Sequence, residues 1–262
     1  MCMELFSLRS GSRGNAALVF AEDTKILVDC GISGKAAEAA LSEIDVNPAD
    51  IDAIVITHEH VDHISGVGVM MRRYNLPVWA NCETWSAMRS QIGRADENLV
   101  KVFENNDNFE IGSINVSPFS IPHDAANPVG YSFIRGEEKV SVATDIGELK
   151  KEMFAALRGS RTVLLESNHD VNMLEIGSYP LTLKRRIRGC LGHLSNDDAA
   201  TAAEFLVRLG TQKILLGHLS EENNYPELAR RTVECALFEA GIKVGCDVLL
   251  EVAGRNSVAT VG

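Results

Sequence analysis

The sequence predicts an α/β fold, with residues 1–262 forming one domain built as two α/β layers. Three observations support this prediction. Short apolar runs separated by turn residues open the chain and predict strands. After residue 145, such runs alternate with helical patterns. No Pro/Gly/Ser-rich linker, fixed-period repeat or low-complexity tract divides the chain.

The N-terminal part of the chain begins with three predicted strands. Apolar runs at 5–8, 17–20 and 26–29 are each followed by turn residues, a pattern typical of consecutive strands. A helix is predicted over residues 33–44, with Ser33 as its N-cap. The next predicted elements are a strand at 51–57, a helix at about 65–74, a strand at 77–80 and a helix near 84–89.

Residues 100–145 again favour strands. Glycine-containing turns at 112–113 and 136–138 each separate two apolar runs, which predicts two hairpins. Beyond residue 145 the predicted helices and strands alternate. The predicted helices cover 148–157, 180–188, 196–208 and 226–240, and the predicted strands cover 162–165, 213–216 and 247–252.

Composition indicates an ordinary globular protein. Hydrophobic residues make up 45% of the chain, which is enough for a normal core. The six cysteines are scattered without a CxxC pair, so we expect small buried hydrophobes in a reducing compartment, the cytoplasm. No stretch reaches the roughly 20 apolar residues that span a bilayer, and the N-terminus lacks the pattern of a signal peptide.

The charge of the chain limits its partners. A formal net charge of −11 argues against broad, non-specific nucleic-acid binding, which normally leaves a basic surface. Bound divalent cations would offset part of this charge. The one dense basic run, residues 184–188, is either a solvated helix face or a phosphate contact. Lys184 and Arg185 are the candidate contacts in that run.

The most informative segment is residues 58–63, which read His-Glu-His-Val-Asp-His. It follows an apolar, β-branched run, which predicts a strand that delivers these side chains to the rim of a sheet. His58 and His60 would face the same side of an extended segment, whereas Asp62 and His63 begin a helix. This spacing suits two adjacent metal ions. A surface histidine cluster is the alternative, but it leaves the preceding strand unexplained.

Further potential ligands also follow predicted strands. His123, His169 and His218 come shortly after apolar runs, and Asp145 comes two residues after another. Several strands are therefore expected to end in a ligand at one edge of a sheet. Histidine and carboxylate ligands suit zinc, manganese or iron.

This ligand series resembles that of the metallo-β-lactamase superfamily in order and approximate spacing. The resemblance implies an αβ/βα four-layer sandwich, in which two mixed β-sheets carry helices on their outer faces. It also implies two metal ions with shared ligands. One ion would be held by His58, His60 and His123, the other by Asp62, His63 and His218, and Asp145 would bridge both.

Additional blocks resemble the YycJ/WalJ/VicX branch of that superfamily, which is related to RNase Z and RNase J. These blocks are residues 10–15, 29–31, 57–60, 166–170, 184–186, 192–196, 218–220 and 223–224. The resemblance implies a 5′-to-3′ exonuclease acting on DNA, with RNA as a further candidate substrate. Two divalent ions, zinc or manganese with iron as a third candidate, would activate a bridging hydroxide for attack on phosphorus.

Two residues are candidates for proton transfer. Asp62 can accept a proton from the attacking water, and its alternative role is that of a ligand alone. His193 is the candidate general acid, because histidine is the usual acid near neutral pH. Its alternative role is a capping or buried histidine beside the helix that starts near residue 195. Glu59 and Glu166 are expected behind the ligands, where carboxylates orient histidines.

Candidate substrate contacts lie in the glycine- and serine-rich turn at residues 10–15. Ser10, Ser12, Arg13 and Asn15 offer donors that suit an anion, while a plain hairpin is the alternative. His169 is a further candidate contact, and a purely structural role for it is equally open.

Three functions remain open from the sequence. The first is a two-metal phosphodiesterase, which the candidate acid His193 and the basic run at 184–188 favour. The second is a hydrolase of a small ester, thioester or lactam, which needs the same metals but neither of those features. The third is a non-catalytic, regulatory domain, against which the complete ligand set argues. The sequence does not indicate an oligomeric state.

Overall fold

The computed structural model describes residues 3–105 and 107–261, which form two β-sheets. Neighbouring strands of the first sheet follow chain order: β1 (Glu4–Arg9), β2 (Ala16–Ala21), β3 (Thr24–Val28), β4 (Ala53–Val55), β5 (Val78–Asn81) and β6 (Val100–Phe103). The second sheet runs in the reverse of chain order, from β13 to β7. Its strands are β7 (Phe109–Ile111), β8 (Ile114–Ser120), β9 (Val129–Arg135), β10 (Glu138–Ala143), β11 (Thr162–Glu166), β12 (Lys213–Gly217) and β13 (Leu249–Val252).

The α-helices of the described residues occupy the connections between strands. They are α1 (Gly34–Ser42), α2 (Val61–Ile64), α3 (Val67–Tyr74), α4 (Cys82–Met88), α5 (Lys151–Leu157), α6 (Val171–Ile176), α7 (Leu181–Ile187), α8 (Asn196–Arg208) and α9 (Pro226–Glu239). Short 3-10 helices at Pro48–Asp50 and Glu97–Leu99 precede β4 and β6.

Both sheets are mixed. Strands β1 to β3 pair antiparallel and β3 to β6 pair parallel. In the second sheet β7 to β10 pair antiparallel, and β10 to β13 pair parallel. Parallel strands place their carboxyl ends at one edge of a sheet, which is where α/β proteins bind ligands.

Three buried clusters divide the core into layers. Between the sheets, Val19 and Val55 of the first sheet lie in one cluster with Val116 and Val142 of the second. The outer face of the first sheet packs against α1, α3 and α4, and that of the second packs against α5, α8 and α9. Each sheet therefore buries both faces, since helices cover the side that the partner sheet leaves free. The predicted αβ/βα four-layer sandwich is confirmed.

Most predicted elements are present, with small shifts at their ends. Ser33 caps α1, as expected, by accepting a hydrogen bond from the Ala36 amide at 3.3 Å. The helix predicted at about 65–74 corresponds to α3, and a separate short helix, α2, precedes it. Helix α6 was not predicted, because six residues are too few to show a helical period.

The burial of the cysteines differs from the expectation drawn from composition. Among the described cysteines all five are free, but only Cys30 is buried; the other four are exposed, so the expectation that each would be a buried hydrophobe was wrong for them. These four lie at the start of α4, near the end of α7, in the outer helix α9 and in the loop before β13. No helix of the described residues is long and apolar enough to cross a membrane.

Candidate metal centre

Strand ends deliver the polar side chains to a common cleft. Three residues that follow β3, β10 and β12 have left-handed backbones, namely Asp29 (φ 57°), Asp145 (φ 61°) and His218 (φ 57°). This conformation costs a residue with a β-carbon about 1–2 kcal/mol. The turn redirects the chain sharply at the end of the strand. Backbone strain of this kind tends to cluster at functional sites.

One group of side chains consists of three histidines. Nε2 of His58 lies 3.0 Å from Nδ1 of His60. The ring of His123 lies 5.1 Å from each of these two rings, measured between centroids. One ligand atom from each residue falls within 4.8 Å of the others, so the three can share one metal ion.

A second group consists of a carboxylate and two histidines. Oδ2 of Asp62 lies 3.6 Å from Nε2 of His63 and 3.5 Å from Nε2 of His218. Both histidines are buried, while Asp62 remains partly exposed. Their ligand atoms also lie within 4.8 Å of one another. This group can hold a second ion.

Asp145 reaches both groups. Its Oδ2 lies 3.4 Å from Nε2 of His63, and its Oδ1 lies 3.5 Å from Nε2 of His218 and 3.7 Å from Nε2 of His123. One carboxylate therefore contacts members of each set, as a bridging ligand would.

Several buried atoms of the cluster have no hydrogen-bond partner among the described residues. They are Nε2 of His123, Nε2 of His218 and Oδ2 of Asp145. Buried polar atoms are almost always satisfied, so such an unpartnered set needs an explanation. Imidazole nitrogen and carboxylate oxygen suit divalent ions such as zinc and manganese. The residues present therefore fit a metal site.

Behind His63 lies a buried carboxylate, Asp29. Its Oδ1 accepts a hydrogen bond from the Thr57 amide at 2.8 Å, and its Oδ2 accepts one from the Thr57 hydroxyl at 2.7 Å. The same Oδ2 lies 2.7 Å from Nδ1 of His63. Asp29 thus accepts a hydrogen bond from Nδ1 of His63, which leaves Nε2 of that ring available to the cluster.

Behind His218 lies Glu166, which is fully buried. Its Oε1 lies 2.8 Å from Nδ1 of His218 and 2.8 Å from Nδ1 of His193. Its Oε2 accepts hydrogen bonds from the Ile146 and Leu194 amides, at 2.7 and 3.1 Å. Four donors therefore fix this carboxylate in place.

The pKa values of the cluster reflect a surplus of negative charge. Burial opposes protonation of His63, but Asp145 and Asp29 outweigh it and raise its pKa to about 9. Burial also opposes protonation of His218, yet Asp145 and Asp62 hold its pKa well above the usual value. By contrast, burial and neighbouring imidazoles keep the pKa of His58 well below its usual value. Metal ions would take the place of the protons on His63 and His218.

Comparison with known proteins identifies the family of this chain. A family model described as a beta-lactamase superfamily domain matches residues 24–219. The chain belongs to the metallo-β-lactamase superfamily.

Two relatives in the superfamily match nearly the whole chain. Exodeoxyribonuclease YycJ of Bacillus anthracis is 43% identical over 238 residues, which cover 91% of this chain and 90% of that protein. Exodeoxyribonuclease WalJ of Streptococcus pneumoniae strain D39 is 42% identical over 242 residues, with coverages of 92% and 90%. The resemblance to the YycJ/WalJ/VicX branch is therefore confirmed.

A solved structure supports the fold independently. The metallo-β-lactamase fold protein YhfI of Bacillus subtilis covers 99% of this chain and 100% of its own, with a TM-score of 0.71 and 16% sequence identity. At this identity the likeness shows the fold alone.

Three other sequence-predicted residues lie at the cleft of this metallo-β-lactamase fold. His193 lines the cleft, with Nδ1 at 3.8 Å from Oδ1 of Asp145. Nδ2 of Asn15 lies 3.3 Å from Oδ2 of Asp62. Ser12 also lines the cleft.

Ser10 supports the cleft from behind. Its buried hydroxyl accepts a hydrogen bond from the His218 amide at 2.7 Å. That bond holds the left-handed turn after β12. Ser10 therefore positions a candidate ligand, and it was predicted as a substrate contact.

Several other predicted contacts lie elsewhere. Nζ of Lys184 donates to the carbonyls of Glu175 and Gly177, both at 2.7 Å, and so secures the end of α6. Arg185 lies with Lys184 in a groove between α6 and α7, outside the cleft. The structure therefore does not bring these two predicted basic contacts to the metal centre.

Three further candidates, Arg13, His169 and Glu59, do not line the cleft. Arg13 pairs with Glu221 at 2.6 Å and lines a neighbouring cavity rather than the cleft. His169 is buried beside Ser195 and does not line the cleft. Oε1 of Glu59 accepts a hydrogen bond from the Ala126 amide at 2.8 Å, where a histidine had been expected.

Some residues that line the cleft were not named individually as contacts, although one of them, Arg186, lies in the basic run at 184–188. Tyr179 and Arg186 both line the cleft, and Arg186 donates to both carboxylate oxygens of Asp124. Leu183 and Ile187, four residues apart, line the same cleft. On a helix, residue 186 shares that face, so the apolar spacing carried the signal.

Proposed function

We propose that this protein is a metal-dependent nuclease that cleaves phosphodiester bonds of DNA from the 5′ end, with RNA as a further candidate substrate. One observation carries the proposal most strongly. His193 lies beside the His/Asp cluster in a cleft that also contains Arg186, so an acid and a cation accompany the candidate metal ligands. The exodeoxyribonuclease relatives supply the substrate class.

Seven side chains would hold two divalent ions, zinc or manganese with iron as a third candidate. His58, His60 and His123 would bind one ion, Asp62, His63 and His218 the other, and Asp145 both. When bound, such ions polarise a phosphoryl oxygen and lower the pKa of a water that then serves as nucleophile. The donor set and its unpartnered buried atoms support this assignment.

Asp62 would act mainly as a ligand. Burial alone would raise the pKa of its carboxyl, but the neighbouring His218 and His63 hold that pKa well below the usual range. A carboxylate of low pKa is a weak base, so Asp62 would be protonated only transiently if it took a proton from the attacking water. Asn15 fixes its orientation by donating to Oδ2 at 3.3 Å.

His193 would act as the general acid. Oε1 of Glu166 accepts a hydrogen bond from Nδ1 of His193 at 2.8 Å, which leaves Nε2 of the ring available to the cleft. From there Nε2 can give a proton to the oxygen that leaves the phosphorus atom. The contact with Glu166 also holds the ring in a fixed orientation beside Asp145.

Arg186 would bind the phosphate that is cleaved. Its guanidinium is fixed by two hydrogen bonds to Asp124 at the wall of the cleft. A planar guanidinium suits phosphate oxygens, and in this cleft it offsets the carboxylates that would otherwise repel the substrate.

Residues 1–262 would form one hydrolase domain, since the N-terminal sheet and the C-terminal sheet share one buried cluster between them. The protein would act in the cytoplasm, a location that the five unpaired cysteines of the described residues support.

The test compares three substrates with metal-reconstituted protein. Single-stranded DNA carrying a 5′ phosphate, matched RNA and a small thioester are each incubated with the enzyme, and products are separated by length. We expect the DNA to shorten from its 5′ end, as read with labels at either end. Turnover of the thioester with intact nucleic acid would favour a small-molecule hydrolase. Protein that holds its ions yet cleaves none of the three would support a regulatory domain.

A further inference from the structure

A second cavity, of about 270 Å³, lies beside the catalytic cleft. We propose that it is a phosphate-binding subsite for the nucleic-acid strand, an inference that rests on the proposed nuclease function. The cavity and the cleft share Ser12 in their walls. A strand whose reacting phosphate lies at the His/Asp cluster can therefore continue past Ser12 into this cavity. We call it the arginine cavity.

The walls of the arginine cavity are basic. Arg9 at the end of β1, Arg13 in the following turn and Arg255 after β13 all line it, and Glu221 is the one acidic residue among its described walls. The chain as a whole carries a formal net charge of −11. In an acidic chain, a cavity lined by three guanidinium groups, two from the N-terminal region and one from the C-terminal region, provides a local positive site that suits an anion.

Arg255 has the most available charge of the three. Its Nη2 donates to the Ser220 carbonyl at 2.6 Å, and no carboxylate of the described residues forms an ion pair with it. Ser220 itself lines the catalytic cleft. This bond therefore fixes the guanidinium at the boundary between the cleft and the cavity.

The other two arginines already have carboxylate partners. Arg9 pairs with Glu43 at 2.6 Å, and its side chain is only 13% exposed, so it mainly supplies a positive wall. Arg13 pairs with Glu221 at 2.6 Å, but the side chains are 85% and 42% exposed. Exposed ion pairs of this kind contribute little stability, so a phosphate can displace Glu221 from Arg13.

The turn at residues 10–15 gives the cavity a rigid wall. Gly11 has a φ of 146°, and a β-carbon there would lie 3.3 Å from the Leu219 carbonyl oxygen and 3.4 Å from the Arg255 side chain. The Gly11 amide donates to Oδ1 of Asn15 at 3.0 Å. The amides of Ser12 and Arg13 donate to no acceptor within residues 3–105 and 107–261. Free amides in a tight turn are typical of anion sites.

The ligand is a phosphate group of the substrate strand that is not itself cleaved. A terminal 5′ phosphate and an internal phosphodiester offer the same oxygen atoms to Arg255 and to the turn. Strands with and without a 5′ phosphate distinguish these two sources.

Equilibrium binding tests the subsite without depending on turnover. Metal-loaded protein is titrated into a fluorescent single-stranded DNA with phosphorothioate linkages, and anisotropy is measured at several salt concentrations. Arg255→Gln should weaken binding by about tenfold and reduce the salt dependence by about one phosphate contact. Arg255→Lys should recover part of the affinity, because it restores the charge but not the planar fork.

Two further variants make the result interpretable. Arg13→Gln changes an exposed side chain, and we expect a loss of about threefold in affinity, as for one displaceable contact. Arg208→Gln is the matched control, because Arg208 lies on the outer helix α8 and pairs there with Glu204. It should bind DNA like the wild type.

Each outcome bears on the subsite separately from the nuclease. The subsite would be refuted if Arg255→Gln and Arg13→Gln, with normal metal content, both bound DNA with the affinity and salt dependence of the wild type. Cleavage of DNA by the wild type would still support the nuclease in that case. Weakened binding in these variants without any cleavage by the wild type would refute the nuclease and keep the phosphate site. A loss confined to 5′-phosphorylated strands would identify the terminal phosphate as the ligand, and an equal loss on both strands would identify an internal one.

Discussion

One carboxylate oxygen, Oε1 of Glu166, lies within hydrogen-bond distance of two histidines of the site. Oε1 of Glu166 lies 2.8 Å from Nδ1 of both His193 and His218, the proposed acid and a proposed ligand. Burial by itself would raise the pKa of Glu166, but the two imidazoles hold that pKa well below its usual range. The group therefore stays ionised and orients both rings with the same atom.

Replacement of Glu166 by glutamine should weaken metal binding. A neutral amide is a poorer acceptor and would turn an N–H group toward one of its donors, so His218 would lose its fixed orientation. We expect Glu166→Gln to lower metal affinity by roughly 10- to 100-fold, as is usual when a carboxylate behind a ligand is lost. Competition with a chromophoric chelator measures this. Glu204→Gln, on the outer face of α8, is the control, and equal affinities in both variants would contradict the role of Glu166.

Removal of the His193 ring should separate chemistry from metal binding. His193 lies near Asp145, Glu166 and His218 but belongs to neither of the two proposed ligand triads, so His193→Ala should keep its metal content. Phosphodiester cleavage should fall by roughly 10²–10⁴-fold, the range expected for loss of a general acid. Metal analysis and single-turnover rates on labelled DNA provide the two readouts. A wild-type rate in this variant would exclude His193 from the mechanism.

At the scale of single residues, the sequence predicted the cluster better than its surroundings. Histidines and aspartates at strand ends are recognisable because the strand pattern places them at a rim. The basic run at 184–188 was harder to interpret, because α7 directs Arg186 into the cleft but Lys184 and Arg185 away from it. Composition shows that a run is basic, whereas the direction of each side chain depends on how the helix packs.

At the scale of elements, tight backbone contacts hold the metal-binding segments together. The Gly31 amide donates to the Asn15 carbonyl at 2.7 Å, and the Asn15 amide donates to the Asp62 carbonyl at 2.8 Å. A β-carbon on Gly31 would lie 1.6 Å from that Asp62 oxygen. The turn after β1, the end of β3 and the start of α2 therefore meet with no room for a side chain.

Substitution of Gly31 should damage both stability and the metal site. Gly31→Ala must push the start of α2 away and displace Asp62 and His63 with it. We expect the free energy of unfolding to fall by about 3 kcal/mol or more, as for severe overpacking. Denaturant unfolding and metal analysis measure the two effects.

Gly159→Ala provides the control for backbone strain alone. Gly159 has a φ of 76°, and a β-carbon added to it would have no atom within 4 Å. Its replacement should lower the free energy of unfolding by only about 1–2 kcal/mol, the usual cost of a left-handed residue. A loss at Gly31 no larger than that at Gly159 would show that the segments around Gly31 accommodate a β-carbon at a lower cost than we expect.

The left-handed residues at strand ends show that apolar patterns predict where a strand ends but not the backbone conformation of the residue that follows it. The apolar runs predicted where β3, β10 and β12 end. They did not predict that Asp29, Asp145 and His218 adopt positive φ values, because contacts with distant segments impose that conformation. The Ser10 hydroxyl, for example, accepts a hydrogen bond from the His218 amide across 208 positions of the chain.

At the scale of the whole molecule, the candidate ligands come from both sheets. The segment 58–63 follows β4 of the first sheet, whereas His123, Asp145 and His218 follow strands of the second. Bound ions would therefore link the two halves of the sandwich. The repulsion among buried carboxylates of the cluster would fall at the same time.

Metal removal should therefore lower the thermal stability of the entire fold. A ligand present at a thousandfold excess over its Kd stabilises the native state by about 4 kcal/mol. We expect chelator-treated protein to unfold at a lower temperature than metal-loaded protein in calorimetry. Asp145→Ala should lose most of this metal-dependent gain, together with turnover of any substrate. A wild-type transition that is indifferent to metal would argue against ions that join the sheets.

Local patterns predicted the strands but not their arrangement. Periodicity and turn residues located most elements, yet the sandwich of two mixed sheets followed from the family resemblance, and the strand order within each sheet was not predicted, because pairing between distant strands leaves no local signal. The arginine cavity shows the same limit. Arg9 and Arg255 meet there although 246 positions separate them, and the segment around Arg255 has no distinctive pattern.

The division of the ligands between sheets has a consequence for biosynthesis. A ribosome delivers residues 58–63 early, but His218 appears only when most of the polypeptide has been made. Until then the nascent chain lacks the complete set of proposed ligands, and an incomplete site binds metal weakly. Loading of both ions would therefore follow translation of β12, and products truncated before it would lack the complete site.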